Sequence, residues 1–135
     1  MISNLSTKVL TDLPAALPLL RFNCELNNSS SVEVAPCTWG TEDVSAIGTA
    51  DVVLACELIY KQDSWIQEAL ADTIATLLQT SNDGRCLFVY DFRGSMIEDL
   101  PFLEKADILF DCKSVALGDS DETFLYEYTL NATPN

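Results

Sequence analysis

Histidine is absent from this chain, which removes the usual general base, Ser-His-Asp triads and histidine metal sites at once. The five cysteines (24, 37, 56, 86 and 112) are odd in number and include no C-x-x-C pair. That argues against a disulfide framework and against a structural zinc site, so no metal is expected. No G-x-G-x-x-G occurs, which leaves a dinucleotide-binding domain of the common kind with nothing to rest on. No apolar run approaches the roughly 20 residues that cross a bilayer, so no membrane partner is expected. The first eight residues have neither a basic start nor an apolar stretch, and a secretory signal is not expected. Basic residues are scarce. Seven Lys and Arg stand against 21 Asp and Glu, a net charge of −14 that repels phosphate backbones and speaks against nucleic acid. A basic protein segment is compatible with that field.

What remains is an ordinary apolar fraction of 48% in 135 residues, enough for one hydrophobic core. A metal-free, cytoplasmic protein is expected, the nucleus being the other admissible compartment. Lys8 to Thr11 is a short strand ending in Asp12, and the prolines at 14 and 18 mark a turn and a helix start. Leu17/Leu20/Cys24 and Leu19/Phe22/Leu26 predict a helix from about Leu17 to Asn27 with a broad apolar face. Val32 to Val34 reads as a strand, and Pro36 to Gly48 as a loop. Val52 to Cys56 is a continuous apolar run, expected of a strand covered on both faces.

Ser64 to Gln67 has the pattern of a capping box, opening a helix with Ile66, Leu70, Ile74, Leu77 and Leu78 on one face. Trp65 is expected in the core. After the Asn82-Asp83-Gly84 turn, Arg85 to Asp91 predicts a buried strand. A third helix is expected over Ser95 to Lys105, with Pro101 blurring its length. Strands near Ile108 to Val115 and Thr123 to Leu130, joined by a loop at 118–121, predict an antiparallel hairpin, and residues 131–135 a frayed tail. The alternation is that of an α/β fold with a mostly parallel sheet and an antiparallel C-terminal end.

Four pieces in order resemble the family-16 methyltransferases, the small non-SET protein-lysine methyltransferases. They are Val9 to Pro14 continuing to Leu26 and Asn27, then Thr38-Trp39-Gly40, then Asp51 to Tyr60, and finally Phe124 to Tyr128. The resemblance implies a Rossmann-like, seven-stranded sheet in spatial order 3-2-1-4-5-7-6 and S-adenosylmethionine as cofactor. It also implies a protein substrate and a lysine acceptor. Under it, Lys8 to Asp12 is the second strand, and residues 1–130 form a partial methyltransferase domain lacking its first strand and glycine-rich loop. A non-catalytic interaction module is the competing expectation, because that loop supplies much of the family's cofactor site. No oligomeric state follows from the sequence.

The resemblance also implies roles, each with a plainer alternative. Asp12 would accept the ribose hydroxyls of the cofactor; it would equally serve as a helix N-cap. Trp39 would stack on adenine, or be a core or surface tryptophan. Cys56 would lie against the cofactor as a small buried thiol, and a nucleophilic role lacks a basic neighbour. Glu57 and Tyr60 form a D/E-x-x-Y pair that would orient the ammonium and wall the pocket, or else are a strand-end acid and a capping aromatic. Tyr90, Asp91 and Arg93 end a strand on the same expected edge, lining a substrate mouth or meeting solvent.

Overall fold

The structure is a computed structural model that describes residues 7–29, 31–79, 81–92, 96–117 and 122–132. The expectations placed on the N-terminus, Arg93, Ser95, the 118–121 loop and the tail beyond 132 lie outside the described residues. The chain divides into two units, Met1–Ile47 and Gly48–Asn135.

In the first unit, β1 (Lys8–Asp12) and β2 (Val32–Pro36) pair in parallel, with Asp12 opposite Pro36 at their carboxyl ends. A parallel pair needs a crossover, and here it is a 3-10 turn at Pro14–Ala16 followed by α1 (Leu17–Leu26). Pro14 and Pro18 both sit in first turns, where a missing N–H costs nothing. The broad apolar face of α1 is only half used. Leu17 is buried, with Leu20 and Cys24 half-buried, whereas Leu19, Phe22 and Leu26 are exposed. The stretch expected to be loop contains a short helix, α2 (Asp43–Ile47), whose Val44 is buried.

The second unit is built on a four-stranded sheet ordered β3-β4-β6-β5, from β3 (Val52–Cys56), β4 (Arg85–Asp91), β5 (Phe110–Ala116) and β6 (Thr123–Leu130). β3 and β4 are parallel, whereas β6 is antiparallel to both β4 and β5. This is the 4-5-7-6 half of the expected order. The four-stranded sheet is mixed, and its antiparallel part is the expected C-terminal β5/β6 hairpin together with the pairing of β6 on β4.

Helices α3 (Ser64–Leu78) and α4 (Leu100–Leu109) carry the core of this unit. Period-two alternation on β4 sends Cys86, Phe88 and Tyr90 inward, where Phe88 stacks on Phe102 of α4 at 4.7 Å. Tyr128 of β6 meets both rings edge-on, at 6.0 and 6.2 Å. Leu70, Ile74 and Leu78 of α3 are buried as their helical spacing requires. Pro101 stands in the first turn of α4, which starts that helix and leaves Ile108 and Leu109 inside it rather than in β5.

Three expectations are corrected here. β3 is not covered on both faces: Ala55 is buried, but Leu54 is 77% exposed and Val52 and Cys56 are exposed as well. Trp65 is not core; it lies on the outer side of α3, 65% exposed. The capping box does not form, because Asp63 is the N-cap residue and makes no side-chain cap bond. Gln67 is buried and spends its side chain elsewhere. Its Nε2 donates to the carbonyls of Gln62 (3.0 Å) and Glu98 (2.7 Å), while Oε1 accepts from the Phe102 N–H (3.4 Å). A buried amide so satisfied ties the start of α3 to the start of α4.

Candidate active site

In open α/β sheets, ligands meet the carboxyl ends of parallel strands. Asp12 stands at such an end in the first unit. Its carbonyl accepts from the Cys37 N–H at 2.9 Å, which closes the end of the β1/β2 pair. Its Oδ1 accepts from the Leu13 N–H at 2.7 Å, one residue on, so the side chain folds over the chain turn rather than capping α1. The carboxylate is exposed, and Oδ2 has no hydrogen-bond partner among the described residues.

Trp39 follows β2, half-buried, at the second position of a turn closed by the Thr41 N–H donating to the Thr38 carbonyl (3.2 Å). Gly40 takes the third position with φ +74°, a left-handed geometry that side chains resist there. The turn is braced twice more. Thr41 Oγ1 donates to the Thr38 carbonyl at 2.8 Å, and the Thr38 N–H donates to Asp43 Oδ2 at 3.1 Å. Thr38-Trp39-Gly40 is therefore a fixed pedestal for the indole, and α2, which the sequence pattern missed, supplies the brace. Burial first, and then the Asp43 charge, push the nearby Cys37 thiol up.

The second unit holds Cys56, Glu57 and Tyr60. Cys56 ends β3 exposed rather than buried as expected. Glu57 follows with φ +54°, uncommon for a residue with a side chain, and its N–H continues the ladder to the Val89 carbonyl at 3.0 Å. The left-handed turn brings its carboxylate across to β4, where Oε1 accepts the Asp91 N–H at 2.7 Å. Asp91 in turn accepts Thr123 Oγ1 on its own Oδ1 at 3.0 Å.

Beyond Glu57 the loop is pinned by Ile59, which is buried, and Tyr60 projects outward, 67% exposed. Gln62 organises this loop, with Oε1 accepting the Tyr60 N–H and Nε2 donating to the Leu58 carbonyl at 2.8 Å. Tyr90 does not line an open mouth. It is buried and its hydroxyl donates to Asp99. Burial first, then the Asp99 bond and charge, hold its phenol far above the ordinary range, and the charge of Glu57 acts in the same direction. Gln62 and Thr123 were not singled out from sequence. Only the position of Asp91 on the same strand edge as Glu57 hinted at this network.

Two groups of the first unit suit an adenosyl cofactor: the exposed Asp12 carboxylate, with an available oxygen for a vicinal diol, and the fixed, partly open Trp39 indole face for a flat base. Among the described residues, no group of three or more His, Cys, Asp or Glu side chains is arranged to hold a metal, and no helix is long and apolar enough to cross a membrane.

Residues 3–108 match the family model described as lysine methyltransferase, methyltransferase family 16. The mouse (Mus musculus) histone-arginine methyltransferase METTL23 is 25% identical over 124 residues, 89% of this chain and 47% of that protein. The chain thus spans about half the length of the curated relative it matches. Among solved structures, an O-methyltransferase family protein from Burkholderia thailandensis superposes with a TM-score of 0.70 at 14% identity, over 95% of this chain and 45% of that one. PigF, solved with SAH, gives 0.64 at 12% identity over 93% and 48%. At such identities these two likenesses speak to fold alone, and that fold is the Rossmann-like methyltransferase fold. S-adenosylmethionine is the cofactor of the family, and a further fold neighbour, SibL, is an S-adenosylmethionine-dependent methyltransferase. With the match covering most of its length, this chain belongs to the family-16 lysine methyltransferases.

Proposed function

We propose that the chain carries the cofactor-facing and acceptor-facing strand ends of an S-adenosylmethionine-dependent protein methyltransferase, with lysine as the methylated residue. The observation that carries the reading is the placement of Glu57: a carboxylate turned out of β3 in left-handed geometry, anchored on β4, and followed by an exposed Tyr60. The cofactor supplies a methyl group on an electrophilic sulfonium. In the first unit Asp12 would hold the ribose diol and Trp39 the adenine; in the second, Cys56 at the end of β3 would be a cofactor contact.

The acceptor amine must arrive neutral, in line with the transferred methyl and sheltered from water. Glu57 orients the acceptor nitrogen, and the ring face of Tyr60 favours the lysine while it is still an ammonium; its proton passes to solvent before the neutral amine is enclosed. Alignment supplies most of the acceleration, so the absence of histidine is no obstacle. The net charge of −14 favours a substrate with a basic segment.

The name of the mouse relative supports arginine instead. A guanidinium seeks both oxygens of a carboxylate in parallel. At Glu57 one oxygen already accepts the Asp91 N–H, which favours a compact ammonium. A non-catalytic interaction role is the second reading, supported by the 77% exposure of Leu54 on β3, whose outer edge has no strand partner among the described residues. Incubation with methyl-labelled cofactor and a mixture of basic proteins, followed by hydrolysis to amino acids, separates the readings. Methyllysine supports the proposal, methylarginine replaces its acceptor, and absence of label from a folded, cofactor-binding chain favours the interaction module.

A further inference from the structure

We infer that Asp91 and Thr123 are positioning residues that aim the Glu57 carboxylate; the functional meaning of this clamp rests on the proposed role of Glu57. Three strands meet in it. Glu57 is tied to β4 by its own N–H on the Val89 carbonyl (3.0 Å) and by its side chain on the Asp91 N–H (2.7 Å). Asp91 and Thr123 face each other in the β4/β6 register, and their side chains bond at 3.0 Å. The next residue continues the lock, with the Phe92 N–H donating to the Glu122 carbonyl at 2.8 Å.

A backbone N–H points only where its peptide plane is held. Fixing that plane from the β6 side fixes the direction from which Glu57 receives its bond. A glutamate on a left-handed backbone would otherwise sample several rotamers at the strand end, and each would move the carboxylate by ångströms. An N–H to carboxylate bond is charge-assisted and stronger than a neutral one. The Thr123 hydroxyl therefore acts through Asp91, two bonds removed from the carboxylate it orients.

Amide hydrogen exchange on the 135-residue chain tests the clamp without cofactor. Glu57→Ala should speed exchange of the Asp91 amide about tenfold or more, leaving Leu87 and Phe88 in the middle of β4 unchanged. Thr123→Val, close in shape but without the hydroxyl, should speed the same amide about fivefold, and Thr123→Ser should restore it. If Thr123→Val fails to fold, Asp91→Ala removes the same bond from the other side and is read at the Phe92 amide, with the same fivefold expectation. An Asp91 amide indifferent to Glu57→Ala, or equal acceleration in Thr123→Val and Thr123→Ser, overturns the inference. Because exchange needs no methyl transfer, a chain that binds no cofactor would sink the proposed activity and still leave the clamp tested. In an active chain, Thr123→Val should lower kcat about fivefold at unchanged cofactor KM, with rescue by Thr123→Ser.

Discussion

Truncating Phe102 to alanine probes the core that holds the second unit together. The ring is fully buried, stacked on Phe88 at 4.7 Å with an interplanar angle of 19°, and meets Tyr128 edge-on. Removing it leaves a cavity that these aromatics cannot collapse to fill, since both are themselves buried and bound into β4 and β6. Such substitutions cost about 3–5 kcal/mol. A unit of this size has a stability of roughly 4–13 kcal/mol, so most of it is at stake. With a urea dependence of about 1 kcal/mol per molar, the midpoint should fall by about 3 M or more. Phe102→Leu keeps most of the volume and should shift it by about 1 M. Far-UV circular dichroism is the assay, because α3 and α4 belong to this unit and Trp65 is too exposed to report well by fluorescence. A shift below about 1 M for Phe102→Ala, or equal shifts for alanine and leucine, would refute the packing described here.

Other perturbations give equally definite outcomes. Trp39→Ala should weaken S-adenosylhomocysteine binding by about tenfold or more, as the loss of one stacked base does, whereas Trp39→Phe should weaken it less; unchanged calorimetric binding in the alanine variant removes Trp39 from the site. Burial pushes the Cys86 thiol up to about 12 from an ordinary 9.0. The folded chain thus holds this proton more tightly than the unfolded chain, so the contribution is intact below pH 9 and is lost as pH rises from 9 toward 12. Between pH 8 and about 10.5 the wild type should therefore lose roughly 2 kcal/mol more than Cys86→Ala in denaturant unfolding; parallel losses contradict this. The Lys105–Asp72 pair joins α4 to α3 at 3.1 Å with both groups in contact with solvent, so Lys105→Met should change stability by no more than about 0.5 kcal/mol in the same assay.

The sheet was largely legible in the sequence, and the reason is local punctuation. β4 and β6 have the bounds that the sequence predicts because turn residues flank each run: Asn82-Asp83-Gly84 before one, and the 118–121 segment before the other. Helix α2, at five residues, is too short to show a helical period and passed for loop. Ile108 and Leu109 looked like strand because apolar residues suit either state; the start that Pro101 gives α4 carries the helix past them. The apolar runs of β3 and α1 announced burial, yet Leu54, Leu19, Phe22 and Leu26 are exposed, because hydrophobicity records what a residue favours and not what lies over it.

At the site, the strand-end positions of Asp12 and Glu57 followed from pattern. The left-handed backbone at Glu57 and its reach to Asp91 did not, since positive φ is rarely signalled by a residue other than glycine or asparagine. Gln67 illustrates the same limit. Its spacing from Ser64 mimicked a capping box, and only tertiary contact with Phe102 and Glu98 shows where its amide is spent.

Titrating S-adenosylhomocysteine into the purified 135-residue chain by calorimetry tests the central claim most directly. The proposed function predicts saturable one-to-one binding with a micromolar dissociation constant, weakened by Asp12→Ala and unchanged by Cys112→Ser, whose thiol lies exposed on β5. No heat of binding from a sample shown to be folded would contradict it.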